Sequence, residues 1–383
     1  MKKIYLRKNG KINKPLIIKL IVALVIFAMI IALVILYKQN KDVRRLFDKY
    51  VFMKNAYENN LPKIETDSKN IYAFNDSILI FKDNELKSYN KYGKEEYSIN
   101  IELTNPIFET NGDYICMAER GGSRVYVILY KNIVWEKELK GNISDVVLNK
   151  NGQVALTLLG TTDKSVVMVF NEKGEDLFSK HIAEEIVVGT AISDDNKNLA
   201  IAKVNYSGID VKSTIETIDI KEAKEGKTVI NEYKSDLGDL IISIKYDKKN
   251  TLVCMYDKYI NTIRDNQVIK KVDFKEEDVI FADVNSKIIK VKKTKDSLIN
   301  TRVELQMISV DNETKSFYEI EEPKAIYVFQ NIIAINLGSE ALFLNNTGWL
   351  IKEYTSSQEI KNIVVSNDIA GIIYKNKVEI ISL

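Results

Sequence analysis

Residues 190–204 read TAISDDNKNLAIAKV. An apolar end (Thr190–Ile192) runs into the polar cluster Ser193-Asp194-Asp195-Asn196, and a second apolar run, Leu199–Val204, follows at once. Asp and Asn in such a cluster bond their own backbone and tolerate the left-handed region, so this is a tight turn between two strands. The arrangement resembles the turn between the first two strands of a propeller blade. Asn149-Lys150-Asn151-Gly152 before QVALTLL repeats it. A second turn class, Asn-x-x-Gly, stands at Asn90–Gly93, Asn171–Gly174 and Asn345–Gly348. Each has an apolar run on either side, and the glycine supplies the positive φ the turn needs.

Working outward, the chain from residue 63 is a succession of short runs rich in Ile, Val, Tyr and Phe, such as SILIF, RVYVILY, SVVMVF, LIISIKY, AIYVF and KVEIISL. No helical period is sustained there, so a parallel α/β sheet is excluded and a sandwich, barrel or propeller remains. Units beginning near Ile71, Pro106, Ile143, Val187, Asp239, Asp278, Lys324 and Lys361 recur at the spacing of four-stranded blades. The last supplies three strands, NIVVS, AGIIY and KVEIISL. Its fourth is expected from Lys63–Thr66, which would close the ring and remove its free edges. The expected fold is therefore an all-β propeller over residues 63–383 with eight blades, or seven. A solenoid or a pair of sandwiches is the more distant alternative.

The head of the chain is different. Residues 20–37 are eighteen consecutive residues without a charge, and 16–37 is long enough for a helix that crosses a bilayer core. Residues 1–54 carry 13 Lys and Arg against 2 Asp, a net of +11, while the remaining chain is −9, so the overall +2 conceals two opposite parts. The flanking charges favour residues 1–15 as a short cytoplasmic tail, with the body outside the cytoplasmic membrane. A cleaved signal peptide is the rival, disfavoured because Ile35-Leu36-Tyr37 offers no small-residue cleavage site. Residues 38–62 read as an amphipathic stalk, with Val43, Leu46, Phe47, Tyr50 and Val51 on one helical stripe.

Taken together, the apolar span, the RRLFDKYVFMKN segment and a body containing NPIF, ISDVVLNKNG and ISDDNKNLAIAKVNYSG resemble a family of uncharacterised membrane-anchored β-propeller proteins of low-GC Gram-positive bacteria. That resemblance implies an extracytoplasmic propeller and transfers no catalytic motif.

Chemistry is sparse. His181 is the only histidine, so triad catalysis and histidine-rich metal sites would all depend on it; a locally bonded residue at a blade edge is expected. There is no Gly-rich phosphate loop, zinc signature or calcium loop, so no cofactor and no metal are expected. Trp135 and Trp349 are too few for the repeated Trp docking motifs of quinone-binding propellers. Cys116 and Cys254 sit in apolar runs and read as buried thiols, a disulfide being the alternative. Asp194-Asp195, Glu184-Glu185 and Glu321-Glu322 read as solvated turns. The run Lys287–Lys295 reads as an edge strand whose lysines deter edge pairing, with an anionic polymer as the other possible role. Stacking aromatics and a clustered positive field are missing, so nucleic acid is not an expected partner.

The loops at 118–124, 160–164, 203–213 and 293–301 are longer than tight hairpins and belong to one rim of a propeller. If a ligand is bound there, Arg120, Arg124, Asp163, Tyr206, Asp210 and Asp296 are the candidates. The expected activity is non-enzymatic: a module tethered by a single span, binding an envelope protein or wall polymer. The alternatives are a wall-glycan enzyme using rim carboxylates, or a ligand sensor working with a membrane partner.

Overall fold

The computed structural model describes residues 7–8, 11–12, 14–39, 43, 47, 51, 55–57, 61–160, 162–208, 211–226, 230–274, 278–284, 287–295, 301–310 and 315–383. The chain divides into two compact units, Met1–Asn55 and Ala56–Leu383.

The first unit is dominated by helix α1, Lys14–Gln39. Its stretch Ile18–Tyr37 is long and apolar enough to cross a membrane, and its side chains are bare, Leu24 being 70% and Phe27 64% exposed. Of the expected stalk stripe, Val43 and Phe47 are helical and the Val51 N–H donates to the Phe47 carbonyl at 2.9 Å. The Tyr37 and Phe47 rings meet edge-on with centroids 6.2 Å apart. Leu46 and Tyr50 lie outside the described residues.

The second unit holds, among the described residues, eight antiparallel sheets. Their inner strands, in chain order, are Asn70–Phe74, Pro106–Asn111, Asn142–Leu148, Ile186–Ile192, Ile241–Tyr246, Asp278–Val284, Ala325–Phe329 and Asn362–Val365; the sheets are numbered one to eight accordingly. Each has four strands except the seventh, which has five. In the eighth, the outer strand is Lys63–Glu65, paired with Lys377–Ser382 so that Ile64 faces Val378. Strands from both ends of the body thus complete one sheet.

Consecutive sheets stack face to face, each pair sharing an apolar cluster. Leu79 and Phe81 of sheet one meet Ile115 and Met117 of sheet two. Cys116 and Val127 meet Val154 and Leu156 of sheet three. The series continues around the ring until Ile369 and Val378 of sheet eight meet Ile78 and Ile80 of sheet one. A second strand is covered on both faces, which is why Ile332–Asn336 and Ile369–Ile373 are buried throughout and read as unbroken apolar runs. Each such Ile or Leu contributes ~1.5–3 kcal/mol. The outer strand Gln267–Asp273 is largely exposed and carries the charges. This is a β-propeller.

One expectation is corrected. The lysine run does not lie on an edge: Ile288–Lys295 is a second strand, paired on both sides. Its charges are accommodated instead by neighbours, with Lys292 Nζ 3.8 Å from Glu304 and Lys293 Nζ 2.9 Å from Glu322, while Lys290 is buried with Nζ 5.9 Å from the Phe274 ring centre. A short helix, α2 (Ile220–Lys224), also interrupts the β pattern; Asp219 caps it by accepting the Glu222 N–H at 2.9 Å.

Candidate functional site: the rim and the channel

Because successive strands reverse direction, the turns between first and second and between third and fourth strands emerge on one face. The second-to-third connections and the links between sheets emerge on the other. The candidates picked from sequence belong to this second face, and four of the six are described. Arg120 Nη1 donates to the Ser144 carbonyl at 3.1 Å, and Arg124 pairs with Glu102. Their loop is held down by backbone bonds to the next sheet, Gly121 N–H to Ile143 O at 2.8 Å and Ile143 N–H to Gly122 O at 2.7 Å. Asp163 Oδ2 lies 2.7 Å from His181 Nδ1, and His181, 63% exposed, sits on an outer strand. Lys164 Nζ stands 4.8 Å from the centre of the Tyr206 ring and donates to the Glu184 carbonyl at 2.7 Å. Asp210 and Asp296 lie outside the described residues. Arg120 and Arg124 share one loop of sheet two, and the Asp163 and Tyr206 loops are joined through Lys164.

The same face carries an ion network that the sequence reading missed. Lys203 Nζ is 2.5 Å from both Glu185 and Glu216, and Lys180 Nζ is 3.1 Å from Glu216. Burial works against the charge on Lys203, yet the two carboxylates outweigh it and hold the ammonium above its usual range. Glu185 is therefore no solvated turn residue: it is half-buried and paired. Two acids and two bases balance in this network.

Next to it lies an apolar surface. In sheets three to six the inner strand bulges near its start, between Ile143 and Asp145, Val187 and Gly189, Ile241 and Ser243, and Val279 and Phe281. A bulge leaves one residue unpaired and re-aims it. At two of these positions stand Val188 and Ile242, 40% and 50% exposed. The link into sheet five adds Leu237 and Leu240, 65% and 42% exposed. That link is pinned: Gly238 N–H donates to Val211 O at 3.0 Å, Ser213 Oγ to Asp239 O at 2.8 Å, and Lys258 Nζ to Asp239 Oδ1 at 2.6 Å. Its leucines are thus presented by ordered backbone. Single exposed apolar residues mean little; these four stand together on one ordered surface.

The inner strands also carry charge into the channel. Glu109 is exposed to the channel, and desolvation by the surrounding wall raises its carboxyl above the usual range, with Lys245 pulling the other way and Asp145 adding to the rise. Asp145 is raised too, mainly by burial, against the Val146 N–H and Arg120. On the wall nearby, Tyr72 and Phe108 stack with ring centres 3.8 Å apart. Among the described residues no group of three or more His, Cys, Asp or Glu is placed to hold a metal ion.

The fold is that of a β-propeller. Residues 48–383 match a family of unknown function, DUF5711, and the chain belongs to it. No curated protein matches the sequence. Among solved structures it is similar to the C-terminal WD40 domain of Sif2, with TM-score 0.57 and 11% identity over 84% of this chain and 97% of that one. BamB from Moraxella catarrhalis is similar with TM-score 0.50 and 11% identity over 84% of this chain and 99% of that one. At such identity the likeness is one of fold.

Proposed function

We propose that this protein is a membrane-tethered, non-enzymatic binding module whose propeller lies outside the cytoplasmic membrane and docks an envelope protein. The observation that carries the reading is the exposed set Val188, Leu237, Leu240 and Ile242 on a pinned link and two bulged strands. An apolar segment of a partner covers these side chains, and Asp236 and Asp257 beside the leucines favour a partner with basic residues flanking it. Tethering is supported by the bare apolar helix: its 20-residue span covers ~30 Å at ~1.5 Å per residue, the thickness of a bilayer core. The basic N-terminal flank supports the orientation.

The test is cross-linking in native membranes, comparing the wild type with the Leu237→Asp/Leu240→Asp double variant. The expected result is a discrete adduct with the wild type that is lost in the double variant while the melting temperature holds. An adduct of equal yield in both would overturn the proposed surface. Protease treatment of intact protoplasts checks the orientation, since the reading requires the body to be digested from outside.

A further inference from the structure

The opposite mouth of the channel has a different character. Here the turns between first and second strands converge and enclose a cavity of about 310 Å³, at the lower end of the range for small-ligand sites. Its walls come from sheets two, five and seven, with the turn of sheet four at the lip. Phe108 and Phe329 give it apolar surface, and its charged lining is mixed, Glu109, Asp194 and Asp247 against Lys245 and Lys248.

Glu109 and Lys245 stand on inner strands three sheets apart. Lys245 acts on the Glu109 carboxyl through its charge, yet neither side chain makes a hydrogen bond or an ion pair with another described residue. A carboxylate and an ammonium facing one cavity without touching leave an electrostatic gap that a molecule carrying the complementary pair fills. The lip is preorganised for it. Asn111 Nδ2 donates to Leu148 O at 3.2 Å, Asn149 Nδ2 to Ser193 O at 3.1 Å, and the Asp194 N–H to Asn250 Oδ1 at 3.0 Å, so the turns of sheets two to five are laced together. A rigid lip reduces the ordering cost of binding.

We propose that this mouth binds a small zwitterion of amino-acid or dipeptide size, its ammonium directed to Glu109, its carboxylate to Lys245 and its apolar body against Phe108 and Phe329. The chemistry follows from the walls alone. A purely anionic ligand would leave Glu109 facing like charge, a purely cationic one would do the same to Lys245, and a sugar would satisfy neither charge. The site is separate from the apolar surface on the other face, so the two readings stand or fall independently.

The experiment is calorimetric titration of the full chain in detergent at pH 8 with L-phenylalanine and L-alanyl-L-phenylalanine. N-acetyl-L-phenylalanine, which lacks the ammonium, and L-phenylalaninamide, which lacks the carboxylate, are the controls. At least one zwitterion should bind saturably, with each blocked analogue weaker by about ten- to a hundredfold, the worth of one charge-assisted hydrogen bond. In Glu109→Gln the advantage of the zwitterion over the N-acetyl analogue should vanish while its advantage over the amide persists; Lys245→Met should show the reverse. That crossed pattern is one misfolding cannot produce. Absence of saturable binding by either zwitterion, equal binding of the blocked analogues, or variants that bind as the wild type does would each overturn the proposal.

Discussion

Asn149 in the first turn of sheet three donates from Nδ2 to the Ser193 carbonyl in the first turn of sheet four, at 3.1 Å and out of solvent. The same side chain accepts the N–H groups of Asn151 and Gln153 at 3.0 and 2.9 Å. One amide therefore shapes its own turn and ties it to the next. Asn149→Ala should cost about 1–3 kcal/mol, because buried donors and an acceptor lose their partner together. Asn151→Ala, at an exposed position, should cost less, about 0.5–1.5 kcal/mol. Urea unfolding with unchanged m-values is the measurement.

Gly174 ends an Asn-x-x-Gly turn at φ +79°, and a Cβ there would stand 2.8 Å from the Trp135 ring of the preceding sheet. Gly226 has φ +78° and nothing within 4 Å. Alanine at both isolates the two costs. Gly226→Ala should lose about 1 kcal/mol from the backbone alone, and Gly174→Ala should lose more and shift the emission of Trp135.

Glu379 is fully buried and accepts from Tyr354 Oη and Lys377 Nζ, both at 2.7 Å, with Lys63 Nζ at 3.6 Å. It lies where the strand from residues 63–65 joins the last sheet. Glu379→Ala leaves an ammonium and a hydroxyl without their acceptor and should destabilise by about 3–5 kcal/mol. Lys63→Ala, at a partly exposed pair, should cost less than about 1 kcal/mol. Chemical denaturation of the two variants checks the ratio.

Glu109 sets a pH dependence. The channel wall holds its folded carboxyl above the 4.5 of an unfolded glutamate. Between the two titrations the folded state keeps a proton the unfolded state has released, so stability falls as pH rises through the window. The melting temperature should decline from pH 5 to pH 8, and Glu109→Gln should flatten that decline. A wild-type curve already as flat as the variant's would contradict the assignment.

Cys116 and Cys254 are both free and buried, one in the cluster between sheets two and three and the other between sheets four and five. The disulfide weighed from sequence is therefore not formed. Burial pushes both thiols above their ordinary range, so a thiol reagent should modify neither in the folded protein and both in denaturant, read by intact mass.

Much of the fold was legible because its physics is local. TAISDDNKNLAIAKV gives strand, turn and strand by composition, and the structure places Ile186–Ile192, a turn at Ser193–Asn196 and Asn198–Asn205 there. The contribution of residues near Lys63 to the last sheet was legible too, since three strands need a fourth. The lysine run was misread because pairing on both sides depends on neighbours far along the chain, whose Glu304 and Glu322 make the charges tolerable. The bulges that expose Val188 and Ile242 leave no mark in composition, as a bulge is a mismatch between two strands and belongs to neither alone.

A repeating β body, its turn chemistry and an apolar basic head can be read from composition and local pattern, because alternation, turn residues and net charge act over a few residues at a time. Which charges are paired depends on the folded ring. Lys203 meets Glu185 and Glu216, and Glu379 meets Lys377 and Tyr354, whereas Glu109 and Lys245 face the channel apart from one another. Coulomb interactions and desolvation depend on distance and burial in space, and residues 136 positions apart in the chain come to line one cavity only when the ring closes.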